Sequence, residues 1–112
     1  RGILSTCYAR LTDNAFVSAG KDVSSSITEL YTRFYHNEPF VKICDASPQT
    51  KQTLGSNFCL IHPFIDRRTN RLIVLSCLDN LVKGAAGQAV QNMNLMLDLP
   101  ETMALEGLAI YP

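Results

Sequence analysis

The side chains of this 112-residue chain that are equipped for chemistry are four cysteines, two histidines, a paired Arg67-Arg68 and a segment that starts at Asp79. A thiolate can act as nucleophile or metal ligand. Cys7, Cys44, Cys59 and Cys77, however, stand singly, with no C-x-x-C pair, each among apolar or small neighbours. That is the pattern of reduced cysteines used as small core residues. Cys59 follows Gly55-Ser56-Asn57, a turn whose N–H groups would favour a thiolate, yet Phe58 and Leu60 flank it as in a buried strand. His36 and His62 have no cysteine, carboxylate or second histidine at metal-ligand spacing, so no metal site is expected. Arginine pairs can clasp phosphate or carboxylate, but in a polar connector Arg67 and Arg68 read as solvated. Met93 and Met96 fit helix packing and call for no cofactor.

The most informative stretch runs from Asp79 to Asn92, where an apolar strand passes into a helix. A helix start offers unpaired N–H groups and a positive dipole end, and the small residues Gly84, Ala85, Ala86 and Gly87 would let a flat or anionic group come close. The same small residues also suit tight helix packing. Taken alone the pattern favours packing, because it lacks G-x-G-x-x-G.

The elements that must position this junction follow from periodicity. Ile3–Leu11 reads as a strand and Asp13–Lys21 as a connection. Ser26 and Glu29 form an S-x-x-E capping box, predicting a helix that starts there. Its stripe of Ile27, Leu30, Tyr31 and Phe34 faces the core, and Asn37 and Pro39 end it. Phe40–Cys44 reads as a short strand and Ala46–Gly55 as a polar loop. Phe58–Ile65 and Arg71–Asp79 form an antiparallel hairpin across Asp66-Arg67-Arg68-Thr69-Asn70. Leu81–Leu99 is a second helix, which Asp79 or Asn80 can cap and Pro100 closes. Gly84 and Gly87 lie inside it at a cost of about 1 kcal/mol each relative to alanine, so a close approach by backbone or ligand should compensate. Leu108–Tyr111 is a candidate last strand.

Together these predict one α/β domain of the α+β type, a mixed, largely antiparallel sheet with helices on one face. Leu72, Val74 and Leu78 alternate with Ile73, Leu75 and Cys77, so both sheet faces are apolar and the second face needs a cover. Another copy of the chain is the cheapest supplier. Hydrophobic residues make up 46% and charged residues 18%, a globular balance. Ten basic residues offset ten acidic ones with no long run of either sign, which leaves no electrostatic footprint for nucleic acid. There is no signal-peptide pattern and no apolar stretch long enough to span a bilayer, so a cytoplasmic setting is expected, with no membrane partner. The chain opens on Arg1-Gly2-Ile3-Leu4 without an initiator methionine and reads as a piece of something longer.

Asp79–Asn92, followed by Met93-Asn94-Leu95-Met96, resembles the signature near the C-terminus of N-acetyl-γ-glutamyl-phosphate reductases. The resemblance continues in order through Arg1-Gly2-Ile3-Leu4-Ser5-Thr6, Phe34-Tyr35, Glu38-Pro39-Phe40-Val41, Gly55-Ser56-Asn57-Phe58-Cys59 and Leu99-Pro100-Glu101. It implies the semialdehyde dehydrogenase dimerisation domain, with a fold like the C-terminal domain of glyceraldehyde-3-phosphate dehydrogenase. The family reduces an acyl phosphate to an aldehyde with NADPH in arginine biosynthesis. The family's nucleophilic cysteine, its acid/base histidine and its N-terminal Rossmann domain match nothing here, so residues 1–112 are expected to be a C-terminal fragment that forms a homodimer or higher homo-oligomer, inactive alone and without catalytic residues of its own. What carries over is Asn80, placed where the wider group sets an amide against the nicotinamide end of NADP, with Lys83 and Gly84 as weaker neighbours. The same plan is shared by reductases of aspartyl phosphate and of carrier-linked aminoadipyl phosphate. A free-standing interaction module is the reading from a different class.

Overall fold

The computed structural model describes residues 1–12 and 23–110; the expected connection Asp13–Lys21 lies outside them. Four strands form one sheet in the order β1-β4-β3-β2: β1 (Ile3–Arg10), β2 (Val41–Ile43), β3 (Cys59–Asp66) and β4 (Arg71–Leu78). β4 pairs antiparallel with β1, from Ile3 opposite Leu78 to Arg10 opposite Arg71, and with β3, from Cys59 opposite Leu78 to Asp66 opposite Arg71. β2 runs parallel to β3, Val41 opposite Cys59. The sheet is therefore mixed and largely antiparallel, as the pattern predicts. Pro63 sits inside β3 at no cost to the ladder. The N–H of Cys59 donates to Phe40 O and the N–H of Cys44 to Ile61 O, both at 2.8 Å, so alternate residues of β3 turn their backbone toward β2. Pro63 is next on that side, past the end of β2, where no donor is needed.

The hairpin turn is built by Asp66, whose carboxylate accepts from the Arg68 N–H at 3.0 Å and the Thr69 hydroxyl at 2.6 Å. Asn70 then takes the left-handed conformation, φ 54°. Arg67 and Arg68 are exposed at the tip.

Residues opposite one another across the ladders share a face. α1 (Val23–Phe34) packs on β3 and β2, and Tyr31 lies close enough to Cys7 for charge on one to be felt by the other. That places α1 on the face of Cys7, Val74 and Pro63. The junction after β4 covers the Leu78 end of the same face. On the opposite face, among the described residues, the Cys77 end is covered by a 3-10 helix (Thr50–Thr53) whose Thr53 hydroxyl lies 3.8 Å from Cys77 Sγ.

Several expectations are corrected. α1 begins at Val23, so Ser26 lies inside the helix and not at its cap. Its apolar stripe is only partly used: the helix packs on β2 and β3, and Ile27 is buried, while Leu30 is exposed and Phe34 is 76% exposed. The second helix is two pieces, a π-helical turn (Val82–Ala86) and then α2 (Gly87–Met96). Leu108–Ile110 forms no strand, although the Ile110 N–H donates to Leu54 O at 2.8 Å. Tyr111 falls outside the described residues. Cys7, expected in the core, is exposed on β1.

The chain presents 7416 Å² of accessible surface, against about 6,100 Å² for a folded monomer of this mass. Leu4 and the 65%-exposed Tyr8 stand on the open face of the sheet, while most of the other exposed large apolar side chains lie on the two helices and the C-terminal segment.

Candidate functional site

Among the described residues the most completely buried large side chains are mainly polar: Asn57, Asn94, Thr53 and Asp79 are each at or below 2% exposure. Ser56 and Gln91 join them, and the group gathers where β4 meets the π-helical turn. A buried polar group is costly unless paired, so such a cluster rigidifies what it joins.

Asp79 is one centre. Its carboxylate accepts two bonds from the Arg1 guanidinium, Nε to Oδ1 at 3.1 Å and a terminal nitrogen to Oδ2 at 2.7 Å. It also accepts the Gly55 N–H at 2.7 Å and the Leu81 N–H at 2.8 Å. The last bond braces the residue that begins the π-helical turn, but neither Asp79 nor Asn80 is its cap as expected: the N-cap is Leu81, with no side-chain cap bond. Burial opposes its ionisation, but Arg1 and the two amides outweigh burial and hold the carboxyl well below the usual carboxylate range.

Asn80, next in sequence, accepts the Gly2 N–H at 2.7 Å on its side-chain oxygen. Because that partner is a donor, the atom it meets must be the carbonyl, which leaves the amide NH₂ of Asn80 with no partner among the described residues. Gly84 adjoins it: a Cβ there would lie 3.8 Å from Asn80 Cβ and 3.3 Å from Leu78 Cδ1. Asn80 and Gly84 are thus brought together. Lys83 turns elsewhere, its ammonium donating to Gln91 Oε1 at 2.7 Å and standing 5.5 Å from the Phe40 ring centre. Burial lowers the pKa of Lys83, while the nearness of Cys59, Glu101 and Glu38 acts the other way.

Gln91 is the second centre. Its oxygen also accepts the Asn57 amide at 3.0 Å, and its nitrogen donates to Glu101 at 2.6 Å. Lysine can only donate, so the orientations of Gln91 and then Asn57 follow, and Asn57 Oδ1 is left facing Gly87 without a hydrogen bond. Asn94 donates to Glu101 O at 3.2 Å and Met103 O at 3.0 Å, tying the tail to α2. Gln91→Ala should therefore cost about 2–3 kcal/mol by stranding the groups it joins. Lys83→Met, which keeps the stem and removes a charge that burial disfavours, should cost under about 1 kcal/mol. Urea unfolding of the two variants checks this, and equal losses would contradict it.

The cysteines do not enter the junction as reactive groups. Burial raises the thiol pKa of Cys59, Cys44 and Cys77, keeping them protonated at neutral pH. Cys44 also feels Asp45, and for Cys59 the opposing pull of Lys83 is smaller than the burial effect. His62 donates from Nδ1 to Cys44 O at 2.8 Å and stacks on Phe64, while His36 meets Asn37 at the surface. Among the described residues no group of three or more His, Cys, Asp or Glu could hold a metal ion, and no helix is long and apolar enough to cross a membrane. A groove of about 960 Å³ lies between the polar side of α1 and β3 and contains none of Asn80, Lys83 or Gly84.

Local pattern does not mark Arg1, Asn57, Gln91 or Glu101, and marks Asp79 only as a possible helix cap. Each lies in or beside a stretch singled out by the family resemblance, and that is the only signal that groups them.

Comparison with known proteins bears on this junction. Over the whole of this chain, sequence identity is 55% to an N-acetyl-gamma-glutamyl-phosphate reductase of Geobacter metallireducens and 52% to one of Dehalococcoides mccartyi. It is 48% to N-acetyl-gamma-glutamyl-phosphate reductase 1 of a Nostoc species. In each case the match takes in 31% of the relative, so the chain spans about a third of the length of these curated relatives. The semialdehyde dehydrogenase dimerisation domain matches residues 1–80, from the Arg1 end of β1 through the Asp79-Asn80 junction, and the chain belongs to that family.

Proposed function

We propose that this chain is the dimerisation part of an N-acetyl-γ-glutamyl-phosphate reductase, a cytoplasmic, NADPH-dependent oxidoreductase that makes N-acetylglutamate semialdehyde in arginine biosynthesis. The observation that carries the reading is the 48–55% identity along the whole chain to relatives bearing that name. The exposed Leu4 and Tyr8 on the open sheet face support pairing of subunits through them and their neighbours on β4. An isologous contact there, each copy covering the other's open face, meets the need for a cover that the alternating apolar pattern of β4 creates.

Asn80, Gly84 and Lys83 are the part of the cofactor pocket that this chain supplies. The residues fit the group: the unpartnered Asn80 NH₂ is a donor of the kind a nicotinamide carboxamide oxygen accepts, and Gly84 beside it carries no side chain to obstruct an aromatic ring. Lys83 supports the same turn through Gln91. When bound, NADPH supplies the hydride; the chain's own residues orient its nicotinamide end and hold the junction rigid. The chain alone is expected to be inactive, since neither a reactive thiolate nor a dinucleotide fingerprint is among its residues.

The test is the intact parent enzyme run in the phosphate-dependent oxidative direction. N-acetylglutamate semialdehyde should be used in strong preference to aspartate semialdehyde. A preference for aspartate semialdehyde would move the chain to the aspartyl-phosphate branch of the family.

A further inference from the structure

We propose that Asp79, together with Arg1, is a positioning residue that sets the orientation of the Asn80 amide, an inference that rests on the reading of Asn80 as a cofactor contact. The Asn80 side-chain oxygen is held by one donor, the Gly2 N–H. Where that N–H points depends on the backbone at Arg1-Gly2. Gly2 has φ 125°, and a Cβ there would fall 2.7 Å from Thr50 Cβ, so the turn is shaped for glycine and pressed against its neighbour. Its other anchor is the two-pronged bond from Arg1 to Asp79, a fork geometry that fixes direction as well as distance.

Asp79 also takes the Gly55 and Leu81 amides, so one buried carboxylate fixes the start of β1, the Gly55 turn and the first residue after Asn80. The amide plane of Asn80 is consequently set from both sides, by Gly2 through its side chain and by Asp79 and Leu81 through its backbone. An ion pair with one partner buried and the other 43% exposed is a weak source of stability compared with apolar packing, so its placement beside Asn80 fits a role in orientation.

A double-mutant cycle in the intact parent enzyme tests this, with Asn80→Ala, Asp79→Asn and the pair combined, reading KM for NADPH, KM for the acyl phosphate, and kcat. Asn80→Ala and Asp79→Asn should each raise KM for NADPH about tenfold and leave that for the acyl phosphate within about twofold. The combined variant should be no worse than Asn80→Ala alone, because Asp79 acts through Asn80. Multiplying effects, or an unchanged KM for NADPH in Asp79→Asn, would overturn the inference while leaving the cofactor reading of Asn80 in place. An unchanged KM for NADPH in Asn80→Ala would sink that reading and the inference with it. Should Asp79→Asn not fold, Arg1→Gln closes the same cycle. Arg1 is 43% exposed, and its loss leaves Asp79 bonded to the Gly55 and Leu81 amides.

Discussion

Asp79→Ala should destabilise the fold by about 3 kcal/mol at neutral pH, since it strands the Gly55 and Leu81 amides and removes the partner of Arg1. The loss should depend on pH in a defined sense. The folded-state pKa of Asp79 lies well below its unfolded value of about 3.9, so the carboxylate's contribution is complete above about pH 4 and is lost as pH falls toward the folded value. The gap in unfolding free energy between the native chain and Asp79→Ala should therefore narrow between pH 7 and pH 3. Asp66, whose carboxyl is also held low by Thr69 at the hairpin, is present in both proteins and cancels. Urea unfolding at the two pH values checks this; a constant gap would mean that the ionised form is not what matters.

Gly87→Ala is expected to cost about 2–3 kcal/mol, reversing the usual advantage of alanine in a helix. The π-helical turn lets the N–H of Gly84 reach Asp79 O and that of Ala86 reach Leu81 O, and the Gly87 N–H bonds to Val82 O. The wide turn brings backbone and Asn57 against Gly87. A Cβ on Gly87 would overlap Asn57 Oδ1 and stand 2.8 Å from both Val82 Cγ1 and the Val82 carbonyl oxygen, and a carbonyl in the backbone cannot swing aside as a side chain can. Gly107→Ala is the control, with nothing within 4 Å of the added carbon. Thermal unfolding should show a clear loss for Gly87→Ala and almost none for Gly107→Ala; similar behaviour of the two would remove the close approach as the reason for this glycine.

The contrast between the glycines also shows what the sequence carries. Two glycines in a helix announce a close approach, but only the fold distinguishes Gly87, pressed by backbone, from Gly84, whose nearest neighbour is the movable end of Leu78. The β3–β4 hairpin was legible to within a residue because period-2 apolar runs flank a polar turn. The start of α1 was not. Ser24, Ser25, Ser26 and Thr28 all resemble caps, yet Thr28 and Thr32 satisfy their hydroxyls on the carbonyls four residues back and let the helix run through. The stripe of Ile27, Leu30, Tyr31 and Phe34 predicted a core-facing side, of which the fold buries Ile27 and leaves Leu30 and Phe34 exposed. The π-helical turn left no periodic trace, because five residues of wide winding disturb the apolar spacing very little.

The candidate site rests on resemblance, which selects Asn80, Lys83 and Gly84 from one stretch. The bonds that organise it join residues far apart in sequence, Arg1 to Asp79 and Asn57 to Gln91, and no local pattern encodes such pairs. Lys83 illustrates the difference: placed next to Gly84 in sequence, it turns toward Gln91 and Phe40 in the fold.

The central claim, that the open sheet face pairs subunits, is tested most directly by the solution mass of the chain. Size-exclusion chromatography with light scattering should be run over a range of concentrations, on the native chain and on Tyr8→Asp, which places a charge on that face. The account predicts a dimer for the native chain and a shift toward monomer for Tyr8→Asp. A soluble monomer at every concentration, or a dimer indifferent to Tyr8→Asp, would contradict it.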